Sequence, residues 1–301
     1  MQRTPVATSA EVRAALDAGK PVVALESTII SHGLPRPRNL AAAKDFEALL
    51  RDQGVTPATV AVINGQPKAG LEPAELELIA NQDIPKASVR DLPILGAKGL
   101  SGATTVAATA HLASLAGIQV FATGGLGGVH RGASETFDES ADLTTLATAP
   151  IAVVSAGVKS VLDIGATLER LETLSIPVVG FRTDSFPSFW LPDSQFQLDW
   201  RVETPAEVAE IIRAQRSAGS SSALVVANPV PNDQAWERAE HDRVLEKAFA
   251  AAEKAGVRGK EVTPFLLQFI VESSSGRSLE VNLALARNNV SVAAEIAKAL
   301  S

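Results

Sequence analysis

Six short runs of this chain, residues 22–25, 59–63, 120–122, 151–154, 178–181 and 224–227, are apolar at almost every position and rich in valine and isoleucine. A strand with one face in water alternates polar and apolar side chains, so runs without alternation must be covered on both faces. Between them, residues 38–53, 73–81, 102–116, 160–174 and 205–218 carry helical patterns. Buried strands alternating with helices imply an α/β fold: a mixed, mostly parallel sheet covered by helices on both faces, an α/β/α sandwich with a helical C-terminal part. Thr8 with Glu11 reads as a capping box, and Thr204-Pro205 and Thr263-Pro264 as cap-plus-proline helix starts. Segment 219–222 is the one candidate linker and it is short, so residues 1–301 are expected to form a single domain.

Composition narrows the function classes. With 27 basic and 34 acidic residues the net charge is -7, and no run of five or more lysines and arginines occurs, which argues against a nucleic-acid or membrane-surface binder. Cysteine is absent, so disulfides, thiolate metal sites and cysteine nucleophiles are excluded, and a bound metal must sit on oxygen or imidazole. The N-terminus has no long apolar stretch, so a cytoplasmic protein is expected. Asn289-Val290-Ser291 matches a glycosylation sequon, read here as chance.

Ligands of open α/β sheets collect where strands end, so polar residues that follow the apolar runs carry most weight. Glu26, closing the run 22–25, is either a general acid with a pKa raised by burial or a cap for the next turn. Lys86 and Arg90, within Lys86-Ala87-Ser88-Val89-Arg90-Asp91, either hold a phosphate or lie on a solvated strand. The turn Thr123-Gly124-Gly125-Leu126-Gly127-Gly128-Val129-His130 has His130 where a dinucleotide fingerprint needs its third glycine, and is expected to bring backbone amides to an anion. Glu135, Asp138 and Asp142, spaced three and four apart, would share one face of a helix and suit magnesium or manganese, or form a solvated acidic face. Lys159 follows the run 151–154: burial would favour a neutral, nucleophilic amine, and the alternative is a cation at a helix start. Segment 186–200 packs two prolines, two tryptophans and three phenylalanines without a period, as a flap, hairpin or loop.

The order and wording of these segments resemble the pseudouridine-5'-phosphate glycosidase family. The match runs through residues 24–35, 86–92, 102–106, 122–132, 154–160, 180–183, 228–231 and 263–267, nearly the whole chain. The resemblance implies reversible cleavage of pseudouridine 5'-phosphate to uracil and ribose 5-phosphate in pseudouridine degradation. It further implies Glu26 as proton donor, Lys159 as nucleophile, Asp138 as ligand of one divalent cation per subunit, usually Mn2+, and Lys86, Val106, Ser140, Ala141 and Asp142 as substrate-binding positions. His130 and Asn282 lie in matching motifs and are implied as further substrate-binding positions. The family also implies a homotrimer and a separate pseudouridine kinase that makes the substrate. Two other readings share these residues: a Schiff-base aldolase or other sugar-phosphate lyase, and a non-catalytic nucleotide-binding module.

Overall fold

The computed structural model describes residues 6–258 and 262–301. Its strands are β1 (Ala7–Thr8), β2 (Val22–Leu25), β3 (Thr56–Ile63), β4 (Gln66–Ala69), β5 (Lys86–Ala87), β6 (Gly102–Thr104), β7 (Val120–Ala122), β8 (Ala152–Ser155), β9 (Val178–Phe181), β10 (Arg201–Val202) and β11 (Leu224–Ala227). Its helices are α1 (Ala10–Asp17), α2 (Arg38–Asp52), α3 (Pro73–Asn81), α4 (Leu92–Lys98), α5 (Val106–Leu115), α6 (Ala133–Thr136), α7 (Ala141–Leu146), α8 (Ile164–Thr173), α9 (Pro205–Ser217), α10 (Arg238–Lys254), α11 (Val262–Ser273) and α12 (Arg277–Leu300).

The sheet runs in the order β1-β4-β3-β2-β7-β8-β11-β9-β10. From β3 to β10 every neighbouring pair is parallel. Strand β3 has two roles: Thr56 to Thr59 pair in parallel with β2, and its second half pairs antiparallel with β4 and β6. Every residue of β2, β8 and β11 is buried, as their lack of alternation predicts. α12 packs on β2, β7 and β8 together with α2 and α9, while α5 packs on β2, β3 and α7. The mixed, mostly parallel α/β architecture expected from the apolar runs is therefore present.

Local polar groups shift several element boundaries. The expected helix 102–116 is split: residues 102–104 form β6, and Thr105, extended at φ -70° and ψ 175°, accepts from the Ala108 amide and starts α5. Helix α8 begins at Ile164 rather than near residue 160, because the Asp163 carboxylate caps it through the Ala166 amide. Ser9, not Thr8, caps α1, and Thr204 caps α9 as expected. Thr263 and Pro264 fall inside the first turn of α11. The acidic trio is not on one helix face: Glu135 belongs to α6, Phe137 turns left-handed at φ 57°, and Ser140 starts α7 afresh. The sequon asparagine Asn289 is 1% exposed on α12, so no glycan can be attached to the folded chain. Segment 219–222 is the turn between α9 and β11. Among the described residues no helix is long and apolar enough to cross a membrane.

Segment 186–200 is irregular but not a surface loop. Phe186, Phe189, Trp190 and Leu191 are buried, and the segment is tied to the loop after β8 by the Phe189 amide donating to Ala156 O (2.9 Å) and the Ser160 hydroxyl donating to Ser188 O. Gly157 makes this approach possible: its φ is +76°, and a Cβ there would lie 2.1 Å from Pro187 O. Gly157→Ala is expected to cost about 3 kcal/mol, from left-handed strain plus the clash, and urea unfolding measures it.

Candidate active site

Strand β2 hands the chain to β3 on one side of the sheet, while its other neighbour, β7, hands it to β8 on the opposite side. Loops leaving the C-terminal ends of β2 and β7 therefore diverge and open a crevice, the position where open α/β sheets bind ligands. A cavity of about 720 Å3 lies here, and its walls include Glu26, Lys86, Lys159, Phe189, Trp190 and Asn282.

Glu26 directly follows β2. The Thr123 hydroxyl, one residue past β7, donates to Glu26 Oε1 in a short hydrogen bond. Burial pushes the Glu26 carboxyl above its ordinary 4.5, and the charge of Asp142 pushes the same way. Lys159, the Thr123 hydroxyl and Lys86 oppose this, but desolvation wins. The next residues anchor it: the Ser27 hydroxyl donates to Val60 O (2.7 Å) and accepts from the Thr104 amide (2.8 Å), and Thr28 donates to Thr104 O.

Lys159 lies four residues past β8, and its Nζ donates to Gly125 O (3.1 Å). The loops after β7 and β8 are joined by backbone bonds from Leu126 N to Gly157 O (2.9 Å), Lys159 N to Leu126 O (3.2 Å) and Ala156 N to Gly124 O (3.0 Å). The expected anion cradle is only partly available: the amides of Gly124 and Gly125, both on the cavity wall, carry no hydrogen bond among the described residues, while others of the turn are taken. The amides of Leu126 and His130 go to Gly157 O and Asp138 O, and those of Gly127 and Val129 to Asp142 and Thr167. What the turn presents to Lys159 is a carbonyl. Gly125 is needed for packing, since a Cβ there would come within 2.5 Å of the Phe189 ring.

Lys86 arrives on β5, whose partner β6 leads straight into the start of α5. Its side chain is exposed, but to the cavity, and its pKa is lowered first by the enclosing protein and then by the Lys159 charge, with Glu26 and Asp142 opposing. His32, also at the cavity, is pushed down by burial and by Lys86. Arg90, the second expected phosphate cation, is instead 84% exposed beside Asp91 (3.7 Å) and is not part of the cavity wall.

Other expected positions stand outside the cavity wall. Asp142 is buried, with Oδ1 accepting from Ala107 N (2.9 Å) and Oδ2 from Gly127 N (2.8 Å). Each oxygen accepts one backbone amide, so the carboxylate joins the start of α5 to the glycine turn and still has acceptor sites to spare. Val106 is buried as the first residue of α5, and Ser140 and Ala141 form the start of α7. His130 Nδ1 lies 3.8 Å from Asp138 Oδ2, and His130 borders a separate cleft with Arg131 and Phe249. Among the described residues no group of three or more histidines, aspartates or glutamates converges as a metal site. Three contributors escaped the sequence reading. They are Thr123, the Trp190 indole, and Asn289, whose Nδ2 donates to Thr123 O (2.7 Å) while its Oδ1 accepts from Asn228 (2.9 Å). An asparagine within the apolar stripe of α12 was the one available signal for the last.

The profile of the family described as Indigoidine synthase A like protein matches residues 11–299. The chain is 60% identical over 298 residues to the Pseudouridine-5'-phosphate glycosidase of Frankia alni, covering 99% of this chain and 82% of the relative. It is 57% identical over 294 residues to the protein of the same name from Saccharopolyspora erythraea, covering 97% of each. Among solved structures, the prealnumycin C-glycosynthase AlnA in complex with ribulose 5-phosphate aligns with a TM-score of 0.92 at 33% identity, over 99% of this chain and 98% of that one. An indigoidine synthase A-like protein from Thermotoga maritima aligns with a TM-score of 0.89 at 39% identity, over 99% and 97%.

Because the Glu26 pKa is raised on folding, its protonated form favours the folded chain. That stability is full below the unfolded value of 4.5 and is lost as pH rises through the folded value. Glu26→Gln mimics the protonated state. It is expected to melt higher than the wild type at about pH 8 and level with it near pH 4. A difference in melting temperature that does not grow with pH would contradict the raised value.

Proposed function

The chain belongs to the indigoidine synthase A-like family, and within it to the pseudouridine-5'-phosphate glycosidases; from that membership we propose how its residues perform the reaction. The enzyme cleaves the carbon–carbon glycosidic bond of pseudouridine 5'-phosphate, giving uracil and ribose 5-phosphate. The observation that carries the residue assignment is Glu26 and Lys159 on one cavity at the divergence of β2 and β7, each within reach of the other's charge. The ribulose 5-phosphate in the C-glycosynthase neighbour supports a sugar-phosphate pocket here.

Glycosidases that break bonds to oxygen or nitrogen rely on a carboxylate pair because the leaving atom accepts a proton readily. A carbon leaving group needs an electron source at the anomeric carbon. The Lys159 amine attacks C1′ as Glu26 protonates the ring oxygen, so the C1′–O bond breaks and the ribose opens. The adduct returns a proton to Glu26. The nitrogen lone pair then forms the C1′=N bond of an iminium while the bond from C1′ to uracil C5 breaks and Glu26 protonates C5. Water hydrolyses the iminium, releasing ribose 5-phosphate and the free amine, and the proton set free returns to the Glu26 carboxylate. A Glu26 carboxyl held above its ordinary range is suited to repeated proton transfer near neutral pH.

Lys86 and the amide of Val106 at the start of α5 are proposed to hold the phosphate, with β5 and β6 setting the two side by side. Ser140, Ala141 and Asp142, at the start of α7, are proposed to bind at the same end of the substrate, where Asp142 already holds the first turn of α5 through the Ala107 amide. For the divalent cation, the available donors are the Asp138 carboxylate with His130 beside it. Two donors would leave a bound Mn2+ most of its water, and because both lie off the cavity wall its positive charge would reach the substrate through that water. A homotrimeric assembly, a cytoplasmic location and a kinase that phosphorylates pseudouridine upstream complete the proposal.

Borohydride reduction in the presence of ribose 5-phosphate is expected to leave a sugar adduct on the peptide that carries Lys159, identified by mass mapping. Turnover with no adduct at Lys159 would exclude the iminium route. Lys159→Met should lower kcat at least about a thousandfold. For Asp138→Ala, the half-saturating Mn2+ concentration should rise about tenfold or more, read from the metal dependence of uracil release.

A further inference from the structure

The buried part of segment 186–200 has no role in the chemistry above, although Phe189 and Trp190 form part of the cavity wall. Trp190 is 1% exposed and held rigidly. Its ring packs edge-on against Trp236 (centroids 5.6 Å, 82°) and His241 (5.9 Å, 63°), and its carbonyl accepts from the Trp236 amide (3.1 Å). Phe189 lies against it at 5.1 Å. From this fixed position the Trp190 indole Nε1–H donates to Asn282 Oδ1 at 2.6 Å.

An indole nitrogen only donates, so this bond decides which way the Asn282 amide faces. The oxygen is turned to Trp190, and the NH2 group is left to the cavity. Asn282 reaches the cavity from α12 beside Leu279 and Leu285, with the rings of Phe189 and Trp190 adjacent. The cationic groups, Lys86 and Lys159, come from β5 and the loop after β8. A wall of apolar and aromatic side chains around an uncharged amide donor suits a flat, neutral ring bearing a carbonyl, and not a phosphate.

We propose that Trp190 is a positioning residue for base recognition: it holds the Asn282 amide so that Nδ2 donates to a ring carbonyl of uracil. This rests on the glycosidase reading of the cavity. The Trp190–Asn282 bond makes the enzyme selective for the base while leaving sugar-phosphate binding to other residues.

The test is the reverse reaction, synthesis of pseudouridine 5'-phosphate from uracil and ribose 5-phosphate, with KM measured for each. Trp190→Phe removes the N–H and keeps a ring; it is expected to raise the KM for uracil about tenfold and leave the KM for ribose 5-phosphate unchanged. Asn282→Ala should do the same, and the double variant should be no worse than Asn282→Ala alone. Asn282→Asp keeps an acceptor for Trp190 but loses the donor, so it should raise the uracil KM as well, and it decides the matter if Trp190→Phe lacks a thermal transition. An unchanged uracil KM in Asn282→Asp, equal rises in both KM values, or additive effects in the double variant would overturn the proposal. If the wild type neither makes nor cleaves pseudouridine 5'-phosphate, the glycosidase reading itself fails.

Discussion

The site depends on two loops, leaving the adjacent parallel strands β7 and β8, that are hydrogen-bonded to each other before they part. Leu126 N to Gly157 O and Lys159 N to Leu126 O continue the sheet pairing beyond the strands, through the bridge between Leu126 and Val158. Without that continuation Lys159 would sit on a free loop, and its long side chain would lose substantial conformational entropy each time it reached the substrate. With it, the backbone under Lys159 is part of the sheet. Its amine already rests on Gly125 O, within the charge field of Glu26.

Keeping the two loops in register requires buried polar groups with full sets of partners. Asp142 ties the glycine turn to the start of α5, and Asn289 ties Thr123 and Gly124 to α12 while accepting from Asn228. Each such bond contributes on the order of 1 kcal/mol net, rising to about 1.5–3 kcal/mol when one partner is charged. Removing one partner leaves the other buried and unpaired, which costs more than the bond contributes. That asymmetry explains why the polar residues around the site are as deeply placed as the core valines. It also makes the glycines at 125, 127 and 157 steric requirements, since a Cβ at each would strike Phe189, Ser140 or Pro187 O.

The electrostatics follow from the same enclosure. Two carboxylates and two ammonium groups, Glu26, Asp142, Lys86 and Lys159, lie close enough to influence one another. Asp142 has its charge satisfied by two backbone amides, so it acts on Glu26 as a fixed negative neighbour. Glu26 has only the Thr123 hydroxyl as a specific donor, so desolvation prevails and it retains its proton more readily. Two buried acids, one following β2 and one in the first turn of α7, thereby differ in how readily each can keep a proton, because of the number of donors each one meets.

The fold class and three polar residues of the cavity wall were legible in the sequence for a local reason. Unbroken apolar runs can only be buried strands, and Glu26, Lys86 and Lys159 are read from their positions beside those runs or within short motifs, without knowledge of distant partners. Arg90 and the acidic trio misled, and the glycine turn was legible only in part, because spacing along the chain does not report where a helix breaks or which amides are already occupied. Left-handed Phe137 and the capping Ser140 separate Glu135 from Asp142, and several of the turn's amides are claimed by Gly157, Asp142, Thr167 and Asp138, leaving those of Gly124 and Gly125 at the cavity. The contacts that convert the motifs into a site join residues far apart in sequence: Thr123 to Glu26 across 97 positions, Trp190 to Asn282 across 92 and Asn289 to Thr123 across 166. The chain by itself determined which groups could do the chemistry; the parallel crossovers, which return distant segments to adjacent strand ends, decided which of them meet.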